Sequence, residues 1–291
     1  MIETIYIARH GYRMNWVTMD WQANFCCLKL PLIIMVKNRK SPTGLPRDPS
    51  LAAYGETQAR ELAEYFLSLP EMERPTAIFS SPYYRCLQTA QPTSEALRLP
   101  IYVEHGLSEW YSPVKPDTGL HPRPASAKDL KSYIPQINPS WSSIWYPTRK
   151  GELVEEAHDR AGGCIELFHS AIDQRLPGQH KRILLVSHAA TVIALTRELV
   201  GDRELPLRIG CCSLTVLDRK QGRTDVRGAY EAVKLNSGDH LEHGASRDWG
   251  FEDIVIKDGK VVGDSGIPGT ENEQDYPVGP QLSEVEVTSR M

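Results

Sequence analysis

The sequence predicts an α/β fold in which short buried strands end in polar turns and lead into helices. The first such strand begins at Ile5, where a β-branched run leads directly into Arg9 and His10. Two further apolar runs, at residues 76–79 and 182–186, also end in polar residues and precede helix-like stretches. Ligands bind at the carboxyl ends of the strands in open α/β sheets, so we expect these turns to meet in one site.

The first turn places His10 between Arg9 and Arg13. Guanidinium groups stay charged at physiological pH and bind two phosphoryl oxygens at once. The same cations disfavour imidazolium, so we expect His10 to be neutral, with a free ring nitrogen able to attack phosphorus. This pattern favours a phosphate site, but an ordinary turn explains an isolated Arg-His-Gly tripeptide equally well.

The apolar run at residues 76–79 ends in two serines that can cap a helix, with Pro82 at the first helical position. We expect this helix to continue to about Leu97 and to carry Arg85 in its first turn. The N-terminus of a helix is itself an anion site. A surface ion pair is the alternative for Arg85, but Thr89 is not acidic.

The run at residues 182–186 ends in Ser187 and His188 and precedes apolar residues at helical spacing. A second neutral histidine here could donate a hydrogen bond to a phosphoryl oxygen in the transition state. A buried histidine satisfied by backbone is the alternative, and it is the commoner case for a single histidine. The shared position at a strand end, as for His10, favours a site.

Glu109 lies beside Trp110 and Tyr111, in a loop after a short predicted strand at residues 101–103. Desolvation by aromatic neighbours raises a carboxyl pKa, which would let this acid donate a proton to a leaving oxygen. A solvated loop glutamate is equally consistent with the sequence.

In this order, the motifs Arg-His-Gly, Ser-Pro-x-x-Arg, Glu-Trp and Ser-His-Ala resemble those of the histidine phosphatase superfamily, the phosphoglycerate-mutase-like proteins. The resemblance implies a three-layer α/β/α sandwich with a mostly parallel central sheet. It also implies a two-step reaction through a phosphohistidine, without a metal or cofactor. In that family's terms, His10 is the nucleophile, Glu109 is the proton donor, and Arg9, Arg85 and His188 form the phosphate pocket.

Arg13 matches an additional pocket arginine of the phosphatase branch that includes the vertebrate Sts-type tyrosine phosphatases. Cofactor-dependent mutases usually carry an acid-Ser pair after the glycine, where this chain has Tyr12 and Arg13. Residues 5–16, 81–89 and 109–111 are also similar to fungal proteins related to the phosphatase-domain subunit of transcription factor IIIC.

The resemblance therefore implies a metal-independent phosphomonoesterase. A weakly active or inactive scaffold subunit of transcription factor IIIC is the alternative, and a mutase-type phosphotransferase is a third. We expect the substrate to be a phosphorylated small molecule or a phosphoprotein, and the partners to include subunits of that factor.

The 291 residues, 41% hydrophobic and 24% charged, suffice for one enzyme-sized domain, which we place at residues 1–258. A net charge of -4 gives no bulk attraction to nucleic acid. The six cysteines lack Cys-x-x-Cys spacing, and no signal peptide precedes the first strand, so we expect an intracellular location in the cytoplasm or nucleus.

Three segments fall outside this pattern. Residues 17–40 form an insertion relative to the family, too short and interrupted to cross a bilayer, and we interpret them as translated intron rather than a flap over the site. Residues 112–150 are predicted to form a lid or substrate-side region, whose Trp141, Trp145 and Tyr146 could stack on a substrate ring or, more commonly, pack beneath a loop. The Gly-, Pro- and acid-rich tail, residues 259–291, is predicted to be disordered.

Overall fold

The computed structural model describes residues 1–17, 41–254 except 177 and 179, and 274–281, with the backbone of 256–257 and 260–261. The predicted insertion therefore lies outside the described residues apart from Val17. Most of the predicted tail also lies outside them.

A six-stranded mixed sheet forms the centre of the domain. In chain order, the strands of the protein are Thr4–Arg9 (β1), Ala77–Ser80 (β2), Ile101–Val103 (β3), Trp145–Tyr146 (β4), Arg182–Ser187 (β5), Ile209–Cys211 (β6), Leu214–Arg219 (β7), Tyr230–Ser237 (β8), Ser246–Trp249 (β9), Ile256–Lys257 (β10), Lys260–Val261 (β11) and Gly279–Pro280 (β12). The central sheet has the order β3-β2-β5-β1-β7-β8. β3, β2, β5 and β1 are parallel to one another, whereas β7 and β8 are added in antiparallel fashion.

Helices cover both faces of this sheet. They are Ala53–Ser68 (α1), Tyr84–Leu97 (α2), Ala127–Leu130 (α3), Val154–Arg175 (α4) and Ala189–Val200 (α5). Successive β1 side chains point to opposite faces, so Ile5 and Ile7 join the core with α4 and α5, whereas Tyr6 and Ala8 join the core with α1 and α2. The predicted three-layer α/β/α sandwich with a mostly parallel sheet is therefore confirmed.

The strand order places the polar turns together. β5 lies between β1 and β2, and the three strands are parallel, so their carboxyl ends form one edge. His10 follows β1 and His188 follows β5 at this edge. Arg85 lies in the first turn of α2, which follows β2.

The predicted start of α2 is wrong by two residues. The helix begins at Tyr84 rather than Pro82, and no side chain of its own N-cap residue caps it. Asp48 replaces the predicted local cap, since its Oδ2 accepts a hydrogen bond from the Tyr84 backbone N at 2.8 Å. A carboxylate from a preceding loop therefore fixes this end of the helix.

The predicted strand over residues 211–217 is divided in two. Cys212 adopts a left-handed φ of 55°, which breaks the extended chain between β6 and β7. As a result β7 pairs with β1 in the central sheet, whereas β6 pairs with β9 in a separate two-stranded sheet. The second predicted strand, residues 226–235, begins at Tyr230 and ends at Ser237.

The prediction of disorder is wrong for residues 274–281. Gly279 and Pro280 form β12, which pairs with β4, and Asp275 forms an ion pair with Arg123. Strand pairing and ion pairing with residues far away in sequence cannot be read from local composition, which is why the tail appeared unstructured.

Among the described residues, no helix combines the length and the apolar content needed to cross a bilayer.

The aromatic residues near the end of the 112–150 region pack within the protein. Trp141 is buried against Phe79 and donates from its indole to Glu104 at 2.8 Å. Tyr146 stacks on His105 with ring centroids 4.5 Å apart. Packing beneath the loop, the commoner of the two predicted uses, is therefore what the structure shows for these side chains.

Candidate active site

His10 is 1% exposed and is fixed immediately after β1. Its backbone N donates to the Ser187 carbonyl at 2.9 Å, and its Nδ1 lies 2.8 Å from the Gly11 carbonyl. A carbonyl can only accept, so Nδ1 carries the proton and Nε2 keeps its lone pair. Burial lowers the pKa of His10 well below its usual value, and the positive charges of Arg85 and Arg9 lower it further.

His188 follows β5 and faces His10, with ring centroids 5.3 Å apart. Its Nε2 lies 2.8 Å from the Ser81 hydroxyl, while its Nδ1 lies 3.1 Å from Arg85 Nη2 and 3.3 Å from Glu109 Oε2. Burial lowers the pKa of His188 to about 4, although Glu109 opposes that shift. Because the Ser81 hydroxyl can donate or accept, Nδ1 of the neutral ring can accept from Arg85 or donate to an anion.

Arg85 is 1% exposed and points both of its terminal nitrogens at partners. Nη1 donates to Asp48 Oδ1 at 3.0 Å, and Nη2 donates to Glu109 Oε2 at 3.1 Å. Asp48 thus binds both the guanidinium and the first backbone N–H of the helix that carries it, at Tyr84. Asp48 fixes Arg85 in position, and no sequence signal near residue 48 indicated this.

Arg9 and Arg13 are held differently from Arg85. Arg9 Nη1 donates to the carbonyls of Ile209 and Arg247 at 2.6 and 2.7 Å. The Arg13 guanidinium lies 4.0 Å from the ring centroid of Trp16, a cation–π contact, and burial lowers its pKa to about 10. Arg13 therefore remains cationic at neutral pH. Both residues line the same cleft as His10.

Glu109 lies among the cations rather than in an apolar pocket. Burial alone would raise its pKa, but His188, Arg85 and Arg13 outweigh burial and hold the pKa well below its usual value. The predicted upward shift is therefore wrong, because the aromatic neighbours in sequence are not its nearest electrostatic partners. The carboxylate lies 3.1 Å from Arg85 Nη2 and 3.3 Å from His188 Nδ1, on two of the residues predicted to bind phosphate.

The loop that carries Glu109 is fixed by hydrogen bonds from three neighbouring elements. The Ser187 hydroxyl donates to Leu107 O and the Thr191 hydroxyl donates to Ser108 O, both at 2.7 Å. Arg160, which also forms a buried ion pair with a glutamate, donates to Gly106 O at 2.7 Å. These contacts hold the acid at the carboxyl edge of the sheet.

The residues surround an open cleft of about 430 Å³. This volume lies within the range of small-molecule sites. Its lining includes aromatic side chains from distant parts of the chain, namely Trp16, Trp110, Tyr111 and Trp249. Arg247 and Asp248, on β9, also line the cleft. Sequence analysis missed β9 because its contribution depends on pairing with β6 rather than on a local motif.

His10, Glu109 and His188 each offer one atom that lies within 4.8 Å of the others, a geometry that could hold a metal ion. The surrounding guanidinium groups of Arg85 and Arg13 oppose a divalent cation, and they lower the pKa of both histidines. The electrostatics of these residues therefore fit an anion better than a metal.

The structure brings together all six residues that the sequence singles out: Arg9, His10, Arg13, Arg85, Glu109 and His188. A model of the histidine phosphatase superfamily (branch 1) matches residues 5–231. The chain belongs to the histidine phosphatase superfamily. The site described above lies within the matched part of the chain.

Relatives of this superfamily member include both a transcription factor subunit and a phosphatase. It is 38% identical over 224 residues to the transcription factor tau 55 kDa subunit of Saccharomyces cerevisiae, covering 74% of this chain and 47% of that protein. It is 28% identical over 242 residues to the ecdysteroid-phosphate phosphatase of Drosophila melanogaster, covering 75% of this chain and 31% of that protein. The chain thus spans less than half the length of either relative.

A solved structure has a similar fold. The ecdysone phosphate phosphatase from Bombix mori, in complex with tungstate, superimposes with a TM-score of 0.56 at 17% identity, covering 80% of this chain and 93% of that chain. This similarity concerns the architecture of the α/β/α domain.

Proposed function

We propose that the protein is a metal-independent phosphomonoesterase that forms a phosphohistidine on His10. The observation that carries this proposal is the hydrogen bond from His10 Nδ1 to Gly11 O, which leaves Nε2 unprotonated inside a cationic cleft. A neutral imidazole with a fixed tautomer is a competent nucleophile. The substrate is a phosphorylated small molecule or a phosphoprotein.

In the first step, His10 Nε2 attacks phosphorus while the bond from phosphorus to the leaving oxygen breaks. Arg9, Arg13 and Arg85 stabilise the charge on the phosphoryl oxygens. His188 donates from Nδ1 to one of these oxygens, and Ser81 then donates to its Nε2. The leaving oxygen takes a proton and departs as an alcohol or phenol.

Glu109 supplies that proton, although its lowered pKa keeps it ionised before substrate binds. An incoming phosphoryl group competes for Arg85 and His188 and adds negative charge next to the carboxylate, and both effects raise its pKa. A monoanionic substrate brings the proton that Glu109 then passes to the leaving oxygen. In the second step, water attacks phosphorus, the phosphorus–nitrogen bond breaks, and Glu109 receives a proton from that water.

The first prediction tests the nucleophile. Purified protein should hydrolyse an aryl phosphate in the presence of a chelator, and His10→Ala should lose on the order of 10⁴-fold or more in rate. His180→Ala is the matched control, because His180 lies at the opposite end of the sheet, next to Thr76. Turnover by His10→Ala at the wild-type rate would contradict the mechanism.

The second candidate function is docking as a nuclear subunit of transcription factor IIIC. The observation that favours it is the 38% identity to the yeast transcription factor tau 55 kDa subunit across 74% of this chain. Affinity capture of the tagged endogenous protein, followed by mass spectrometry, should recover other subunits of that factor. His10→Ala should recover the same partners, because docking does not need the nucleophile.

A further inference from the structure

Asp275 anchors the C-terminal segment, residues 274–281, to the region predicted to form a lid. Its Oδ1 accepts from the Arg149 backbone N at 3.0 Å and from Arg123 Nη2 at 3.3 Å. Its Oδ2 accepts from the Thr148 hydroxyl at 2.6 Å. The side chains of Asp275 and Arg123 are only 12% and 13% exposed, so the carboxylate is bound by three donors in a largely desolvated position.

The backbone beyond Asp275 continues along a groove formed by Arg123, Tyr146, Thr148 and Arg149. β12 pairs antiparallel with β4, so that Gly279 lies opposite Tyr146. The Gln281 backbone N donates to the Ile144 carbonyl at 2.7 Å. Val278 is 45% exposed and points away from the groove. The segment is therefore held by one buried carboxylate and by backbone pairing, the two features by which extended peptides are commonly bound.

The groove contains two arginines, and the segment supplies a carboxylate to one of them. Arg123 donates to the Pro147 carbonyl at 2.8 Å and lies over the Tyr146 ring at 5.6 Å. Arg149 is 5% exposed. Burial and the charge of Arg149 both lower the pKa of Arg123, whereas Asp275 opposes this shift. Without Asp275, the largely buried Arg123 guanidinium would lose the carboxylate with which it forms an ion pair.

The groove also connects to the candidate active site. Arg149 Nε donates to the His121 carbonyl at 2.9 Å, and the His121 ring stacks on Tyr111 with centroids 4.6 Å apart. Tyr111 and Glu109 line the cleft that contains His10. A displacement of Arg149 would therefore be transmitted through His121 to Tyr111, which lines the cleft next to Glu109.

We infer that the groove formed by Arg123, Tyr146, Thr148 and Arg149 is a docking site for an extended segment with a carboxylate. Residues 274–281 of the same chain occupy this groove and, through Arg149 and His121, position Tyr111 in the wall of the cleft next to Glu109. The docking itself is independent of the proposed phosphatase activity, whereas its effect on turnover rests on that activity.

Hydrogen exchange on the full-length chain tests whether the segment is docked. The amides of Arg149 and Gln281 should be protected, and Asp275→Asn should speed their exchange by at least about ten-fold, because it removes the charge that the groove binds. Val278→Ser is the control and should leave both amides protected. Unprotected amides in the wild type, or equal exchange in wild type and Asp275→Asn, would overturn the inference.

A labelled peptide of residues 271–283 tests the groove as a binding site. It should bind the full-length Asp275→Asn chain, and at least about ten-fold more weakly the wild-type chain, whose own tethered segment competes at a high effective concentration. The same peptide with asparagine in place of the aspartate should bind neither chain. Equal binding to both chains, or no saturable binding to the Asp275→Asn chain, would contradict the docking site.

Turnover provides the functional readout. Asp275→Asn should lower kcat several-fold for an alkyl phosphate, with less effect on KM and on a nitrophenyl phosphate, since the acid matters most for a poor leaving group. Unchanged kcat on both substrates would show that the docked segment does not position the wall. If the wild type shows no turnover, the proposed function fails, while exchange and peptide binding still decide the docking.

Discussion

His10 and His188 both follow a buried parallel strand at the same edge of the sheet, but their ring nitrogens have different partners. His10 binds its own backbone through Nδ1 and presents Nε2 to the cleft. Both nitrogens of His188 are engaged, one by Ser81 and the other by Arg85 and Glu109. The same strand-turn-histidine pattern thus gives the two rings different hydrogen bonds, and the proposed mechanism assigns the nucleophile to His10.

The largest expected effect is on the covalent intermediate. Acid-labile phosphoryl label, trapped by denaturation during turnover, should appear on the wild type and on His188→Asn but should be absent from His10→Ala. His188→Asn should lose about 10²- to 10³-fold in kcat, as for other groups that stabilise transition-state charge. Label that disappears from His188→Asn but persists in His10→Ala would reverse the assignment of the two histidines.

The next effect concerns the acid that His188 contacts. Glu109→Gln should lower kcat for an alkyl phosphate by about 10²- to 10⁴-fold, the usual contribution of a positioned acid. The loss should be much smaller for a nitrophenyl phosphate, whose leaving group departs without a proton. Equal proportional losses on both substrates would show that Glu109 has a binding or packing role instead.

Substitution of Asp48 should have a smaller effect, which tests how Arg85 is held in position. Asp48→Asn can still accept from Tyr84 N but loses the charge that fixes Arg85, so kcat/KM and vanadate affinity should fall about 10- to 100-fold. Glu198→Gln is a matched control, because it removes the charge of a buried carboxylate that pairs with Arg203 away from the cleft. Wild-type vanadate affinity in Asp48→Asn would show that Arg85 needs no such support.

The smallest effect is on pH-dependent stability. The pKa of His188 is about 4 in the folded protein, whereas an unfolded histidine has a pKa near its usual value of 6.5. As pH falls below 6.5 the unfolded chain binds a proton that the folded chain does not, so stability falls between pH 6.5 and 4, by about 3 kcal/mol for this group. Glu104, whose pKa burial raises to about 7, acts in the opposite direction over the same range.

His188→Asn should therefore flatten the slope of unfolding free energy against pH, whatever its effect on stability at neutral pH. Urea unfolding of the wild type and the variant at several pH values from 7 to 4.5 measures this slope. This range lies above the pH at which Glu109, with its lowered pKa, begins to lose its stabilising charge. Equal slopes would mean that His188 is protonated in the folded protein or remains solvated.

The α/β architecture and six candidate site residues were predictable from the amino-acid sequence. Four of these residues lie next to a local signal: a buried strand for His10 and His188, a helix start for Arg85, and a short strand and loop for Glu109. Arg9 and Arg13 flank His10 in the same turn. The carboxyl ends of parallel strands share one edge of a sheet. The sequence therefore also predicts that the residues following these strands lie close together.

The electrostatic state of the site and the pairing of residues 274–281 depend on contacts between residues far apart in the chain. Glu109 is ionised because Arg85 and His188, more than twenty residues away in sequence, approach its oxygens. The roles of Asp48 and Asp275 follow only from their long-range ion pairs, which they form with Arg85 and Arg123 respectively. Coulomb interactions depend on distance in space, and distance along the chain does not report it.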